Sequence, residues 1–356
     1  MNRKAKNITL FVILILVIVS IWYINSGKMP PSTIVPQDIT SGRDVSMKVL
    51  KYNKAKELSD PKGFINTEAF KIADLIGKKI ILVDFWTYSC INCIRTIPHI
   101  NAWYEKYKDQ GLEIVGVHTP EFDFEKDYNN VSQAVQRMGI KYPVVLDSDR
   151  GTWNAYNNRF WPREFLIDVD GFIIHDHIGE GGYDETEMAI IEALKELHGG
   201  SLDVKEDLSK PINAIDMDPS GVKSPETYFG SDRNEFMGNG KRGVSGSQTL
   251  SVPSAVNIKP NILYLDGVWN FSNEYTQNTN KGAKIVFKYN SKNVYFVASS
   301  DKGVNIKIIL DGKLVNTINI KENRLYEIIK GNSYGEHTLE MDIESPGLNA
   351  YTFTFG

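Results

Sequence analysis

Cysteine is scarce in this chain. Of 356 residues only two are cysteine, Cys90 and Cys93. An extracellular fold that relied on disulfides for stability would carry more of them, at wider spacing. A bridge across so short a loop removes little entropy from the unfolded chain and stabilises weakly. The pair is therefore read as chemistry rather than scaffolding. An excess of one charge is missing too: 40 basic residues face 44 acidic ones, for a net charge of −4. That balance gives no support to a nucleic-acid partner, which usually needs a clustered basic face. No sequence repeat relates the two halves. Apolar content of 42% and charged content of 24% are ordinary for a folded soluble protein, and at this length two domains are the natural expectation.

One long apolar run is present. Residues 8–24 are apolar except for Thr9 and Ser20, and Arg3, Lys4 and Lys6 precede them. At about 1.5 Å per residue, a helix there is near the short limit for a bilayer of about 30 Å. The run is longer than a usual signal core and no A-x-A site follows, which favours an uncleaved signal anchor over a cleaved signal peptide. The basic flank should stay cytoplasmic, which puts the rest of the chain outside the cell membrane. The expected organisation is an anchor over 1–25, a Pro-rich linker over 26–45, a first domain over 46–198, a linker over 199–224 and a second domain over 225–356.

The first domain alternates strands and helices. Ile80 to Trp86 is a continuous apolar run broken only by Asp84, as in a central strand. A helix is expected from about Cys90 to Lys108, with Ile94, Ile97, Ile100, Trp103 and Tyr107 on a shared side. A strand over Leu112–Val117, a helix over Val131–Met138 and a strand over Tyr142–Leu146 follow. A hairpin should turn at Asp170-Gly171, and a last helix should run from Asp184 to Leu197. The result is an α/β fold with a mixed sheet. After residue 225 the period changes to two: Val304, Ile306, Ile308 and Leu310 lead into Asp311-Gly312 and a partner strand, Lys313 to Ile320. The expectation is an all-β sandwich of jelly-roll type.

The chemistry should lie between Ile81 and Pro98. At the start of a helix, Cys90 meets free N–H groups and the positive end of the dipole, which favour a thiolate. Cys93 lies one turn on, within reach of a mixed disulfide on Cys90. Asp84, six residues before Cys90, would be a buried carboxyl able to exchange a proton with Cys93; a core carboxyl with no chemical part fits the same position. A zinc site would need two more ligands, and the histidines form no compact set.

This stretch resembles thioredoxins. Asp84, Trp86, Cys90, Cys93 and Pro98 match the spacing of their signature one by one. The departures are Ser89 before Cys90 and Ile91-Asn92 between the cysteines, and the latter leave the direction of electron flow open. The resemblance implies the thioredoxin fold and a cis-proline facing the cysteines. There the preceding residue offers its backbone to a substrate strand. Trp161-Pro162 is placed in that role, with Trp86 as a further substrate-binding candidate. A longer set of segments is similar to the extracytoplasmic part of DipZ-type proteins, among the TlpA-like thioredoxins. These are WTYSCINCIRT (Trp86 to Thr96), GVHTPEF (Gly116 to Phe122), GEGGYDETE (Gly179 to Glu187), PETYFG (Pro225 to Gly230) and YTFTFG (Tyr351 to Gly356).

The DipZ likeness implies disulfide exchange with exported proteins, apocytochrome c among the possible substrates. It needs no cofactor beyond a Cys90–Cys93 disulfide. It also implies a C-terminal module similar to carbohydrate-binding jelly rolls. DipZ-type proteins carry a CcdA-type membrane domain as well, so a separate membrane electron donor or acceptor is expected here. Two other functions are weighed. Thr87 and Arg163 echo the sites of peroxiredoxin-like thiol peroxidases. Trp269, Phe271 and Tyr275 would either stack on a cell-wall glycan or form core.

Overall fold

A computed structural model describes residues 45–200, 209–215 and 218–356. The expected anchor lies outside the described residues, and among those described no helix is long and apolar enough to cross a membrane.

The first half is built from α1 (Ser46–Lys51), β1 (Phe64–Ile65), α2 (Ile72–Leu75), β2 (Ile80–Trp86), α3 (Ile91–Tyr107), β3 (Leu112–His118), α4 (Tyr128–Arg137), β4 (Val144–Leu146), α5 (Gly151–Ala155), β5 (Arg163–Ile167), β6 (Ile173–Ile178) and α6 (Tyr183–Leu197). The strands form one mixed sheet in the order β1-β4-β3-β2-β5-β6. β2 runs parallel to β3 and antiparallel to β5, so it is central and wholly buried. Both faces of β2 are covered, which is why its sequence shows no polar alternation. Leu82 and Trp86 join Ile97, Ile100 and Trp103 of α3 and Ile190 and Leu194 of α6 on one face. Ile81, Val83 and Phe85 meet Ile72 and Trp153 on the other. This is the thioredoxin-like arrangement.

Helix α3 follows its periodic apolar stripe, although Ile94 is only half-buried. Three short elements carry no such signal: β1, α2 and α5. The last is nucleated by Asp147, whose carboxylate accepts from the Thr152 and Trp153 amides at 2.8 and 2.9 Å.

The second half is all-β: β7 (Thr227–Tyr228), β8 (Gly246–Leu250), β9 (Leu263–Phe271), β10 (Thr276–Asn278), β11 (Ala283–Ser299), β12 (Val304–Leu310), β13 (Lys313–Ile320), β14 (Arg324–Ile343) and β15 (Asn349–Phe355). The expected all-β character holds, and pairing joins all nine strands into one continuous sheet. The cause is the length of β11. Its first part pairs with β9 and its last part with β15, and register shifts after Ser291 and Val294 interrupt its pairing with β14. Trp269 and Phe271 point into this core and are fully buried. Of the two readings, the core one holds for both: an inward strand position leaves no face for a ligand. Tyr275 packs on Tyr351 with ring centroids 5.1 Å apart.

The two halves meet at an aromatic cluster. Phe122 and Phe124, after β3, contact Tyr351 of β15 at 5.1 and 4.8 Å. Around it the Tyr228 hydroxyl and Arg233 Nη1 donate to Glu121 Oε1 at 2.9 and 2.8 Å. The Asp123 amide donates to Glu274 Oε2 at 2.9 Å. Because Tyr351 is nearly fully buried, Tyr351→Ala should lower stability by about 2–4 kcal/mol. Urea unfolding followed by tryptophan fluorescence would measure this, and an unchanged midpoint would show that the cluster contributes nothing.

Candidate active site

Cys90 is the N-cap residue of α3 and is half-exposed, while Cys93, one turn on, is buried; both are free thiols. The Cys90 thiol donates to the carbonyl of Trp161 at 3.9 Å. The Trp161–Pro162 peptide is cis. The Trp161 indole is held by Nε1 donating to the Thr119 carbonyl at 3.0 Å and by a ring contact with Trp153 at 4.4 Å. Arg150 lies over its face at 5.2 Å. The cysteines and the proline come from two separate segments, and the sheet brings them to one end.

Beneath Cys93 lies Asp84, fully buried, with neither carboxyl oxygen hydrogen-bonded among the described residues. Burial pushes its pKa up from 3.8 to about 8. Burial also raises the Cys93 thiol well above its ordinary range, with further contributions from its hydrogen bond to Cys90 and from the charge of Asp84. Opposite Asp84 on β3 stands Gly116. A side chain there would come within 2.9 Å of the Tyr142 ring and 3.0 Å of the Trp86 indole nitrogen, so glycine is needed for close approach.

Trp86 requires a correction. It is fully buried and its indole meets His118 edge-on at 5.0 Å. It points to the α3 face of a covered strand and offers no surface to a substrate. Its place is behind the site. His118 is held neutral by burial, its pKa pushed down to about 3.

Two buried charged groups near the cysteines escape a reading of the sequence. Glu125, fully buried, accepts from the Ser89 hydroxyl at 2.6 Å and the Ser89 amide at 3.2 Å. Its other oxygen accepts from the amides of Glu121 and Phe122 at 2.7 and 3.0 Å. Burial raises its pKa while the hydrogen bonds oppose the rise. Arg95 is 2% exposed and grips Glu180 with two bonds, 2.6 and 2.8 Å, while Nη2 also donates to Asn92. A charge among isoleucines early in α3 was the only hint of Arg95. Glu125 had none, since Ser89 lies far from it in sequence.

Comparison with known proteins agrees with this geometry. Residues 224–356 match the family described as thioredoxin like C-terminal domain, and residues 53–176 match the AhpC/TSA family. Protein DipZ of Mycobacterium bovis is 35% identical over 304 residues, which are 85% of this chain and 43% of DipZ. Thiol-disulfide oxidoreductase YkuV of Bacillus subtilis is 31% identical over 140 residues, 39% of this chain and 93% of YkuV. Thiol-disulfide oxidoreductase ResA of Bacillus thuringiensis is 34% identical over 127 residues, 33% of this chain and 70% of ResA. This chain belongs to the thioredoxin-like thiol–disulfide oxidoreductases. It spans less than half the length of the DipZ protein that it matches.

In this oxidoreductase the buried acid makes stability depend on pH with a definite sign. The folded state keeps the Asp84 proton up to about pH 8, whereas the unfolded chain releases it near 3.8. The folded state therefore binds more protons between those values, and stability falls as pH rises through that window, then levels off. Asp84→Asn removes the effect. The variant should gain over the wild type by up to about 1.4 kcal/mol per pH unit across the window. Urea unfolding of the reduced protein at pH 5 and pH 9 tests this; an equal gain at both values would contradict it.

Proposed function

We propose that this oxidoreductase is held by its N-terminal apolar segment on the outer face of the cell membrane and exchanges disulfides with exported proteins through Cys90 and Cys93. The observation that carries the exchange chemistry is the contact of the half-exposed Cys90 thiol with the Trp161 carbonyl, with a buried thiol and a buried acid behind it. An extended substrate strand can pair with that backbone beside Pro162, next to the sulfur that attacks it. Trp161 and Pro162 are the substrate-binding residues.

For a substrate disulfide, the Cys90 sulfur attacks one substrate sulfur and the other leaves as a thiolate, giving a mixed disulfide. Asp84, in its ionised form, takes the proton from Cys93. The Cys93 thiolate then attacks the Cys90 sulfur; the Cys90–Cys93 bond forms and the second substrate thiolate departs. Two electrons pass from the pair to the substrate. The reverse sequence oxidises a dithiol. No cofactor beyond the Cys90–Cys93 disulfide enters. Electrons are restored or removed by a separate membrane protein of CcdA type, a role supported by the likeness to DipZ.

The match to the AhpC/TSA family favours a peroxidase as second reading. Against it, Thr87 is buried against His118 at 3.4 Å. Arg163 is engaged by Asp176 with bonds of 2.9 and 2.6 Å. Neither is free to hold a peroxide beside Cys90. Glycan binding by the second half keeps no support from Trp269 and Phe271; docking on the first half, around Tyr351, is the better-supported use of that half.

Insulin reduction by the full chain with dithiothreitol as donor is the test. Cys90→Ser should abolish turnover, and Cys93→Ser should accumulate mixed disulfides with insulin. Loss of neither would overturn the assignment. Equilibration with a glutathione buffer then gives direction: a potential near −270 mV assigns a reductase and one near −120 mV an oxidant.

A further inference from the structure

A row of titratable side chains crosses the sheet behind Cys93. Strand register sets Asp84 of β2 directly opposite Glu164 of β5, and Glu164 directly opposite His177 of β6. Opposed residues of antiparallel strands project to one face, with Cβ atoms about 4.5–5.5 Å apart. Here that face carries α3 and α6. Asp84 and Glu164 are each 1% exposed, and His177, on the edge strand, is half-buried. Both Asp84 oxygens and His177 Nε2 are buried without a hydrogen-bond partner among the described residues, and the buried Glu164 carboxyl has only the Thr186 hydroxyl beside it. A native fold tolerates so many orphaned polar atoms in one place only for a reason. The first function assigned to this site uses Asp84 alone and leaves Glu164 unexplained.

We propose that Asp84, Glu164 and His177 form a path that carries the Cys93 proton across the sheet to solvent at its edge. This rests on the exchange reading of Cys90 and Cys93. Two carboxyls on adjacent strands in a dry interior do not both ionise readily, so they share protons as a pair. Burial and the charge of Asp84 both raise the proton affinity of Glu164. In the resolving step the Cys93 S–H bond breaks and its proton goes to Asp84. As the Cys90–Cys93 bond forms, the substrate thiolate leaves. Asp84 passes a proton to one oxygen of Glu164 as the other oxygen gives its own to His177 Nε2, and the half-buried His177 ring releases a proton to water. Glu164 never touches the reacting sulfurs; it acts through Asp84.

Other groups face the row. Cys93 comes from α3, Tyr142 precedes β4, and Tyr183 begins α6; all three sense Asp84 or Glu164 electrostatically. Thr186 of α6 lies beside the Glu164 carboxyl, and its hydroxyl is 3.1 Å from His175 Nε2 on the same edge strand. The His175 and His177 rings are parallel, 6.5 Å apart. Among the described residues no lysine or arginine is paired with either carboxyl, so no ion pair among them accounts for the two buried acids.

Stopped-flow reaction of the reduced full chain with the aromatic disulfide DTNB separates the steps. The first thiolate is released in a bimolecular phase set by Cys90 and the second in a unimolecular phase set by Cys93. Glu164→Gln should leave the first phase unchanged and move the pH midpoint of the second to lower pH, because Asp84 loses its like-charged neighbour. His177→Gln, at the half-buried edge, should slow the second phase roughly tenfold near neutral pH without altering the first. It serves as the deciding variant if Glu164→Gln fails to fold. A second-phase profile from either variant that superimposes on the wild type overturns the path. Absence of any second phase in the wild type would instead sink the exchange reading.

Discussion

The site depends on one unfavourable arrangement: a carboxyl kept in the core with no hydrogen bond to compensate its burial. Asp84 interrupts a strand whose two faces are otherwise apolar. An ionised group there is costly, so the acid holds its proton well above the usual carboxylate range. That cost is useful because Cys93 faces the same interior. A thiol buried beside a strong acid would stay protonated; beside a weak one it has somewhere to send its proton. The sheet enforces this pairing, since β2 is central and cannot tilt Asp84 towards solvent. Gly116 completes it by leaving room for the Tyr142 ring and the Trp86 indole to pack closely against β3.

The fold was legible where burial imposes a period. The covered central strand, the apolar stripe of α3, the acidic start of α6 and the alternation in β12 all leave marks that survive in one dimension. Asp84 was legible for the same reason, as a single charge in an apolar run. The direction of Trp86 is not legible, because a strand covered on both sides carries no polar alternation to say which way each side chain points. Nothing in the sequence around Glu164 signals its burial. Only the register of β5 against β2 reveals that it stands opposite Asp84. Short α5 was missed since its start is set by a side chain, Asp147, and not by hydrophobic spacing. The continuous pairing of the second half depends on the length of β11, which no local pattern in the sequence reveals.

The two halves are coupled through five residues. Glu121 to Glu125 follow β3 and are held at both ends. On one side, Tyr228, Arg233, Glu274 and Tyr351 of the second half fix Glu121, the Asp123 amide and the two phenylalanine rings. On the other, Glu125 binds the amide and hydroxyl of Ser89, the residue just before Cys90. The segment has too few residues to bury a core of its own, so its conformation is set by these two attachments. The departure of this chain from the usual thioredoxin motif then acquires a physical sense. Where thioredoxins place a tryptophan before the first cysteine, a serine is needed here, because only a short side chain with a donor can reach the Glu125 carboxyl at 2.6 Å. Ser89 ties the loop that presents Cys90 to a strut anchored on the β-domain. The second half therefore contributes to the geometry of the exchange site without lending it a reacting atom, and a ligand that displaced Tyr351 from Phe122 and Phe124 would loosen the backbone at Cys90 through Glu125.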